Sequence, residues 1–560
     1  MLAVAALIQH AIKQRRARNA KSADGADSNG GVSSADEKGV PAVRGFNETP
    51  EQVRWNTLAI YVAGAALVFD FTATLMSIQA LFYLLQAPSR LYGLTFAAYD
   101  ITQFLFSPAY GLWADAYGLR LPQLTGILVN QLGNILYAFT VLSKEWYVIL
   151  IARFISGAGA AVLFTGLFYL TGTTSFEQRF ALLSRYRLIQ SLARFIGPFL
   201  AFAFLGMPLP TPQSSAAVRV FNFYTMPAWL TVLVTLTALV VVAWWFRDPP
   251  DWHEHRLALM DEALRQRELQ LGQPVGSSKY RQMSRWRQLL AVAPRGTLRT
   301  ILLLQAAILL MTNIIIWATY SNLYAQAVGH FHLVGSQTDI WKVFAPLPVG
   351  VGVATLVRTV ASTSSIQAHG PERALTASAF LALFISYMLV IPYDSTIAAP
   401  NAWRYYVSTG FLGYTVVTVY ISLEVIFSKY MTLGERQTGP VLGLLFSLYS
   451  MVGALGRAIG QIVVGSVTHI ADTVGTGALC QPSIATSTCC LAADTFRTST
   501  CELTSARAFY AVFAVFTFLT GVAAAWIFWD YNYERVRQDC EVVEAAPPAP
   551  SEDQLPETIY

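Results

Sequence analysis

Apolar residues along this chain come in blocks of about twenty, long enough to cross a bilayer as helices, and not in the short stripes of soluble helices. Twelve such blocks fall at about 56–85, 91–113, 121–142, 146–170, 182–206, 223–246, 299–326, 340–361, 372–392, 403–428, 438–466 and 508–530. The pattern predicts an all-α polytopic membrane protein of twelve transmembrane helices. Polar stretches divide it: a tail over 1–54, a six-helix bundle over 55–246, a link over 247–298, a second six-helix bundle over 299–531, and a tail over 532–560. A further polar loop, 467–507, separates the last two spans. Both tails read as disordered, because segments such as "SADGADSNGGVSSADE" cannot bury enough apolar surface to fold. In the link, Leu257, Met260, Leu264 and Leu271 fall at helical spacing, which predicts an amphipathic helix.

Composition excludes a soluble globule: 54% of the 560 residues are hydrophobic and 13% charged, against about 25% charged in soluble domains. Charge also orients the chain. The even-numbered junctions hold Arg120, the trio Arg179, Arg185 and Arg187, Arg358 with Arg373, and Lys429 with Arg436; the link from Arg247 to Arg299 carries ten Lys or Arg and the N-terminal tail eight. The positive-inside rule then places both termini in the cytosol. Four of the five cysteines, Cys480, Cys489, Cys490 and Cys501, share the 467–507 loop, lumenal in this topology, where one or two disulfides are expected and their connectivity stays open. The opening "MLAVAALI" precedes its basic residues, the wrong order for a cleaved signal peptide.

Charges inside the spans carry the chemistry, since an ionised group in an apolar phase is costly and marks function there. "QSLARFIGP" sets Arg194 in span five, and "GALGRAIGQ" sets Arg457 in a similar frame in span eleven. The same ordinal place in each six implies duplicated halves, and two arginines near the axis between them form an electropositive cavity able to hold an anion; the competing reading pairs each arginine within its own half. Asp70 lies near the middle of span one, Asp100 near the middle of span two, and Glu424 in span ten. Counting ~1.5 Å per residue puts Asp100 and Arg153 at similar depth, so an Asp100–Arg153 pair is expected if their helices face. That pair is either a fixed packing element or part of a proton step at Asp70 or Asp100. Tyr99, Tyr186, Tyr414 and Tyr420 are candidate cavity walls, with Arg187 at the mouth.

Two motifs point further. In "GLWADAYGLR" the glycines allow a tight turn between spans, and Asp115 is placed to cap the next helix or pair with a cytosolic arginine, latching one conformation. In "RFISGAGAAVLFTG" the small residues at 156, 157, 159 and 160 allow close helix packing. The first motif resembles the loop signature of major facilitator transporters at Gly111, Asp115, Gly118 and Arg120, departing at Ala116, where a basic residue is usual. "RFISGAGAA" resembles their span-four signature, associated with proton-coupled members. "AAYDITQFLFSPAYGLW", "FNFYTMPA", "GPERA" and "LGRAIG" are similar to the lysosomal branch whose human member is linked to neuronal ceroid lipofuscinosis, with Arg194 standing where that branch carries glycine. The resemblance covers most of residues 55–535. It implies two pseudo-symmetric six-helix halves and a lysosomal or related endomembrane, the plasma membrane being the alternative.

These readings converge on a transporter that moves a small anionic solute by alternating access, with proton coupling open. An anion channel through the same cavity is the alternative, and a non-transporting scaffold or receptor the third. An enzyme is not expected: there is no Walker loop, metal-ligand spacing or nucleophile elbow, hence no catalytic residue, metal or cofactor. The partners expected are the small-molecule or ion substrate and the lipid bilayer, with no nucleic acid, for a monomeric chain.

Overall fold

A computed structural model of the chain describes residues 49–173 apart from 86, 89 and 90; 179–202; 204, 207 and 214–249; 261 and 265; and 296–325, 346–361, 372–391, 402–433, 442–475 and 500–530. The expected tails up to residue 48 and from 532, the apolar positions 257, 260, 264 and 271 of the expected link helix and the cysteine pairings lie outside the described residues.

Each expected span corresponds to a described helix. These are α1 (Pro50–Leu84), α2 (Tyr92–Tyr117), α3 (Arg120–Ala138), α4 (Tyr147–Gly172, with a 3-10 turn at Ala161–Phe164), α5 (Arg179–Phe202) and α6 (Met226–Trp245). Then follow α7 (Gly296–Ala325), α8 (Pro346–Ala361), α9 (Glu372–Val390), α10 (Ala402–Leu433), α11 (Leu442–Gly475) and α12 (Thr500–Asp530). Among the described residues eight helices are long and apolar enough to cross a membrane by length and composition. The helices outside that set include α2, which buries Asp100 and Gln103, and α5, which buries Arg187 and part of Arg194 and leaves Arg185 exposed.

Helix packing repeats with an offset of six. In the first half α1 packs on α5 and α6, α2 on α4, and α3 on α4 and α6; in the second, α7 packs on α11 and α12, α8 on α10, and α9 on α10 and α12. Between halves, α2 packs extensively on α11, while α5 meets α10 and α8, and α4 meets α11. The outer faces are apolar, with Trp244, Leu303, Leu356, Phe518 and Trp526 exposed, and the interior holds Asp, Arg, Asn and Gln side chains. This inverted distribution is what a lipid solvent demands.

The small residues of α4 do close packing. A Cβ on Gly157 would strike Tyr99 O and Thr102 Oγ1 of α2, and one on Gly159 would strike the backbone of α3 at Asn130 and Gly126. Two helix ends differ from expectation. The tail expected to reach residue 54 is helical from Pro50, because Thr49 accepts a 3.3 Å bond from Gln52 N, with Pro50 opening the first turn and Glu51 adding an acid to it. The loop expected from 467 to 507 is helical to Gly475 and again from Thr500: the apolar run stops before the helical backbone does.

Candidate functional site

Asp100, Arg194 and Arg457 line one cavity between the halves, together with Arg187, Glu424, Gln103 and Asn313 and the rings of Phe71, Tyr99, Trp317, Tyr420 and Tyr449. Its volume is about 60 Å3. At 10–15 Å3 per water-sized centre that is room for on the order of five such centres.

Two ion pairs cross from half to half along this cavity. Arg457 Nε on α11 donates to Asp100 Oδ1 on α2 at 2.6 Å, and Gln461 Nε2 donates to Asp100 Oδ2 at 3.0 Å. Arg457 Nη2 also donates to Gln103 Oε1. Arg187 on α5 grips both oxygens of Glu424 on α10, through Nε and Nη2, and its Nη1 donates to Gln190 Oε1. Arg187 is therefore not an open mouth residue but a buried member of a bidentate pair. Removing either partner of such a pair leaves an uncompensated charge in the interior.

Arg194 differs. Among the described residues it makes no ion pair, and its Nε has no hydrogen-bond partner. Its guanidinium lies 5.7 Å from the Tyr420 ring centroid and 5.9 Å from that of Trp317. Those rings are fixed by a relay: Trp317 Nε1 donates to Tyr420 Oη at 2.9 Å, and Tyr420 Oη donates to Asn313 Oδ1 at 2.6 Å. Cation–π contact stabilises the guanidinium but does not neutralise it.

The expected Asp100–Arg153 pair is not formed. Depth was right and azimuth was not: successive helical residues point about 100° apart, so Tyr99 faces α4 while Asp100 faces α11. Arg153 stacks 4.6 Å from the Tyr99 centroid and 5.3 Å from that of Phe71, and donates to Thr74 Oγ1 at 2.8 Å. Asp70 accepts from Asn130 Nδ2 at 2.7 Å, and its Oδ1 is without a hydrogen-bond partner. Asp70 and Arg153 thus form a second polar cluster inside the first half, behind the Phe71 and Tyr99 wall. Of the expected aromatics, Tyr99 and Tyr420 line the cavity, whereas Tyr186 donates to Leu163 O and Tyr414 pairs with Ser378.

The "GLWADAYGLR" loop sits at one end of this interface. Gly118 has φ +93°, a conformation glycine adopts without strain, which turns the chain straight into α3. Asp115 does not cap that next helix. Asp248, just past α6, accepts from Leu119 N at 2.7 Å and Arg120 N at 3.1 Å, while Arg120 Nη2 donates to Ala243 O at 2.7 Å. Burial pushes the Asp248 carboxyl up from its ordinary value, opposed by those two N–H donors and by Arg120. Asp115 instead crosses to the second half, accepting from Gly443 N at 3.1 Å and Leu444 N at 2.8 Å in the first turn of α11. Unpaired N–H groups and the positive end of the helix dipole both favour a carboxylate there. A Cβ on Gly111 would collide with Ser447 and Gly443 O, and Ser107 meets Ser450 at 3.5 Å, so the halves are closed at this end.

Sequence reasoning missed the Arg187–Glu424 pair. Its signals were a lone acid within span ten and an arginine two helical turns before Arg194 on the same face of α5.

The family model described as Major Facilitator Superfamily matches residues 58–461. Among curated proteins, the chain is 23% identical over 208 residues to Major facilitator superfamily domain-containing protein 8 of Xenopus laevis, a stretch that is 36% of this chain and 41% of that protein. The match therefore spans less than half the length of that relative. Among solved structures, the chain is similar to the human organic anion transporter MFSD10 (TETRAN), with TM-score 0.53 and 16% identity over 85% of this chain and 100% of that one. It is also similar to the proton:xylose symporter XylE, with TM-score 0.55 and 13% identity over 86% of this chain and 96% of that one. At these identities the likeness is one of fold.

Proposed function

The chain belongs to the major facilitator superfamily, and on that premise we propose that it carries a small anion across its membrane by alternating access through the cavity between its halves. The observation that carries this reading is Arg194, a cation lining the cavity without an ion pair among the described residues. Arg457 plays a different part from the one its sequence setting suggests. Held by Asp100, it ties α2 to α11, and its separation from Asp100 accompanies opening.

Asp100 is then the group that takes up a proton when the halves part, because a carboxylate losing its guanidinium partner in a low-dielectric site favours its protonated form. Asp70, held within one half by Asn130, is the second candidate. Gly111, Asp115, Gly118 and Arg120 act as the latch that favours closure at their end. The topology drawn from positive charges puts that end and both termini in the cytosol, and the resemblance of segments such as "GPERA" and "LGRAIG" to the lysosomal branch supports an endolysosomal membrane over the plasma membrane.

Counterflow in proteoliposomes tests the reading. Purified chain should exchange labelled small organic anions across the vesicle wall with saturation, faster under a pH gradient; Arg194→Gln should lose uptake, and Asp100→Asn combined with Arg457→Gln, which leaves no unpaired charge, should keep exchange but lose the pH response. Current without counterflow would favour the chloride-like channel instead. Normal exchange by Arg194→Gln would remove the arginine from the mechanism.

A further inference from the structure

We infer that the cavity selects anions bearing a single negative charge, and that the Glu424 carboxylate sets this valence. The inference rests on the reading of the cavity as the substrate site and goes beyond it by assigning the charge class. Three guanidinium groups line the cavity, Arg187, Arg194 and Arg457, against two carboxylates, Asp100 and Glu424. Each carboxylate is consumed in a pair, Asp100 by Arg457 and Glu424 by both nitrogens of Arg187. Both acids are at least 98% buried, so water screens them little. In this arrangement, with Asp100 still paired to Arg457, one positive charge is left, on Arg194.

A ligand with one negative charge makes the occupied cavity neutral. A second negative charge leaves a buried surplus beside two carboxylates whose cations are already engaged, which is the costly arrangement of an unpaired interior charge. Trp317 and Tyr420 cover the guanidinium with their rings, so a planar carboxylate meets its N–H edge, and apolar Leu67, Phe71 and Leu309 receive the rest of the ligand. Room for on the order of five water-sized centres limits the ligand to a small acid.

Glu424 is the residue whose removal changes the count without undoing the α2–α11 contact. Gln190 would still hold Arg187 in place through Nη1. Arg187 and Arg194 are seven residues apart on α5, two turns along one face, about 10.5 Å between Cα atoms at 1.5 Å per residue. With Glu424 neutral, the two cations would offer ends for a dicarboxylate.

Butyrate and succinate, both of four carbons, test this at a pH where both carboxyls of succinate are ionised. The full chain in detergent is titrated with each while its thermal unfolding is followed. Wild type should be stabilised by butyrate at least about tenfold more tightly than by succinate, Glu424→Gln should reverse that preference by at least about tenfold, and Glu424→Asp, which keeps the charge, should retain it. Arg194→Gln should respond to neither. Wild type that prefers succinate, or a preference unchanged in Glu424→Gln while Arg194→Gln loses both, overturns the valence inference and leaves the cavity reading standing. Wild type blind to both acids, with Arg194→Gln unaltered in counterflow, overturns the cavity reading itself. Should Glu424→Gln fail to fold, the wild-type ratio and Glu424→Asp still decide the matter.

Discussion

The α2–α11 and α5–α8 contacts are one contact made twice, since adding six to α2 and α5 gives α8 and α11. The first is extensive and the second slight. Residues account for the difference. From α2 come Asp100 to Arg457, Gly111 against the α11 backbone and Asp115 to its first N–H groups. By contrast α8 reads "PLPVGVGVATLVRTVA", without an acid, so Arg194, in the same sequence frame as Arg457, meets aromatic faces where Arg457 meets a carboxylate. Duplication supplied two similar arginines, and the presence or absence of an acid on the facing helix made one a strap between halves and left the other as free charge in the cavity.

Breaking the strap has the largest expected effect. Arg457→Gln leaves Asp100 buried with only Gln461 to hold it, at a cost of about 3–5 kcal/mol. Thermal unfolding in detergent should fall by that margin, and Asp100→Asn combined with Arg457→Gln should recover most of it. A single variant as stable as wild type would mean that the pair contributes nothing to the contact.

Separating the same two helices by bulk is the next test. Gly111→Val forces a side chain into Ser447 and the Gly443 carbonyl, and overpacking of this kind costs about 1–3 kcal/mol, here of the closed arrangement. Cysteines at 107 and 450, whose native hydroxyls lie 3.5 Å apart, should cross-link readily in the parent and poorly with Gly111→Val. Asp115→Ala removes a helix cap worth about 0.5–2 kcal/mol and should lower cross-linking by less. Equal cross-linking in all three would show that this end is held by something other than the loop.

How far the sequence could be read follows the same physics. Apolar runs located all twelve helices because bilayer thickness sets their length, but not their ends: the start at Pro50 was written in Thr49 and Gln52 rather than in hydropathy. Depth of a charge could be counted along each helix, which put Asp100 and Arg153 level; which neighbour each faced depended on helix rotation, and there Asp100 turned to Arg457. Asp115 was recognisable as a cap, yet not the helix it caps, because α11 lies more than three hundred residues away in the chain. The missing acid on α8 was visible in its sequence throughout, and became meaningful only when the packing repeat placed α8 opposite α5.

The smallest expected effect on stability completes the comparison. Arg194 has no ion pair among the described residues to lose, and its ring contacts are worth on the order of 0.5–2 kcal/mol, offset by the relief of no longer burying a charge. Arg194→Gln should therefore unfold within about 1 kcal/mol of wild type, far from the loss expected for Arg457→Gln. Its signature appears only with ligand present. An anion held at a hundred times its dissociation constant stabilises the folded chain by about 2.7 kcal/mol, and that increment should vanish in Arg194→Gln while Glu424→Asp retains it. An Arg194→Gln chain as unstable as Arg457→Gln would mean that both arginines are straps, and the asymmetry between the two contacts would then have no consequence for the cavity.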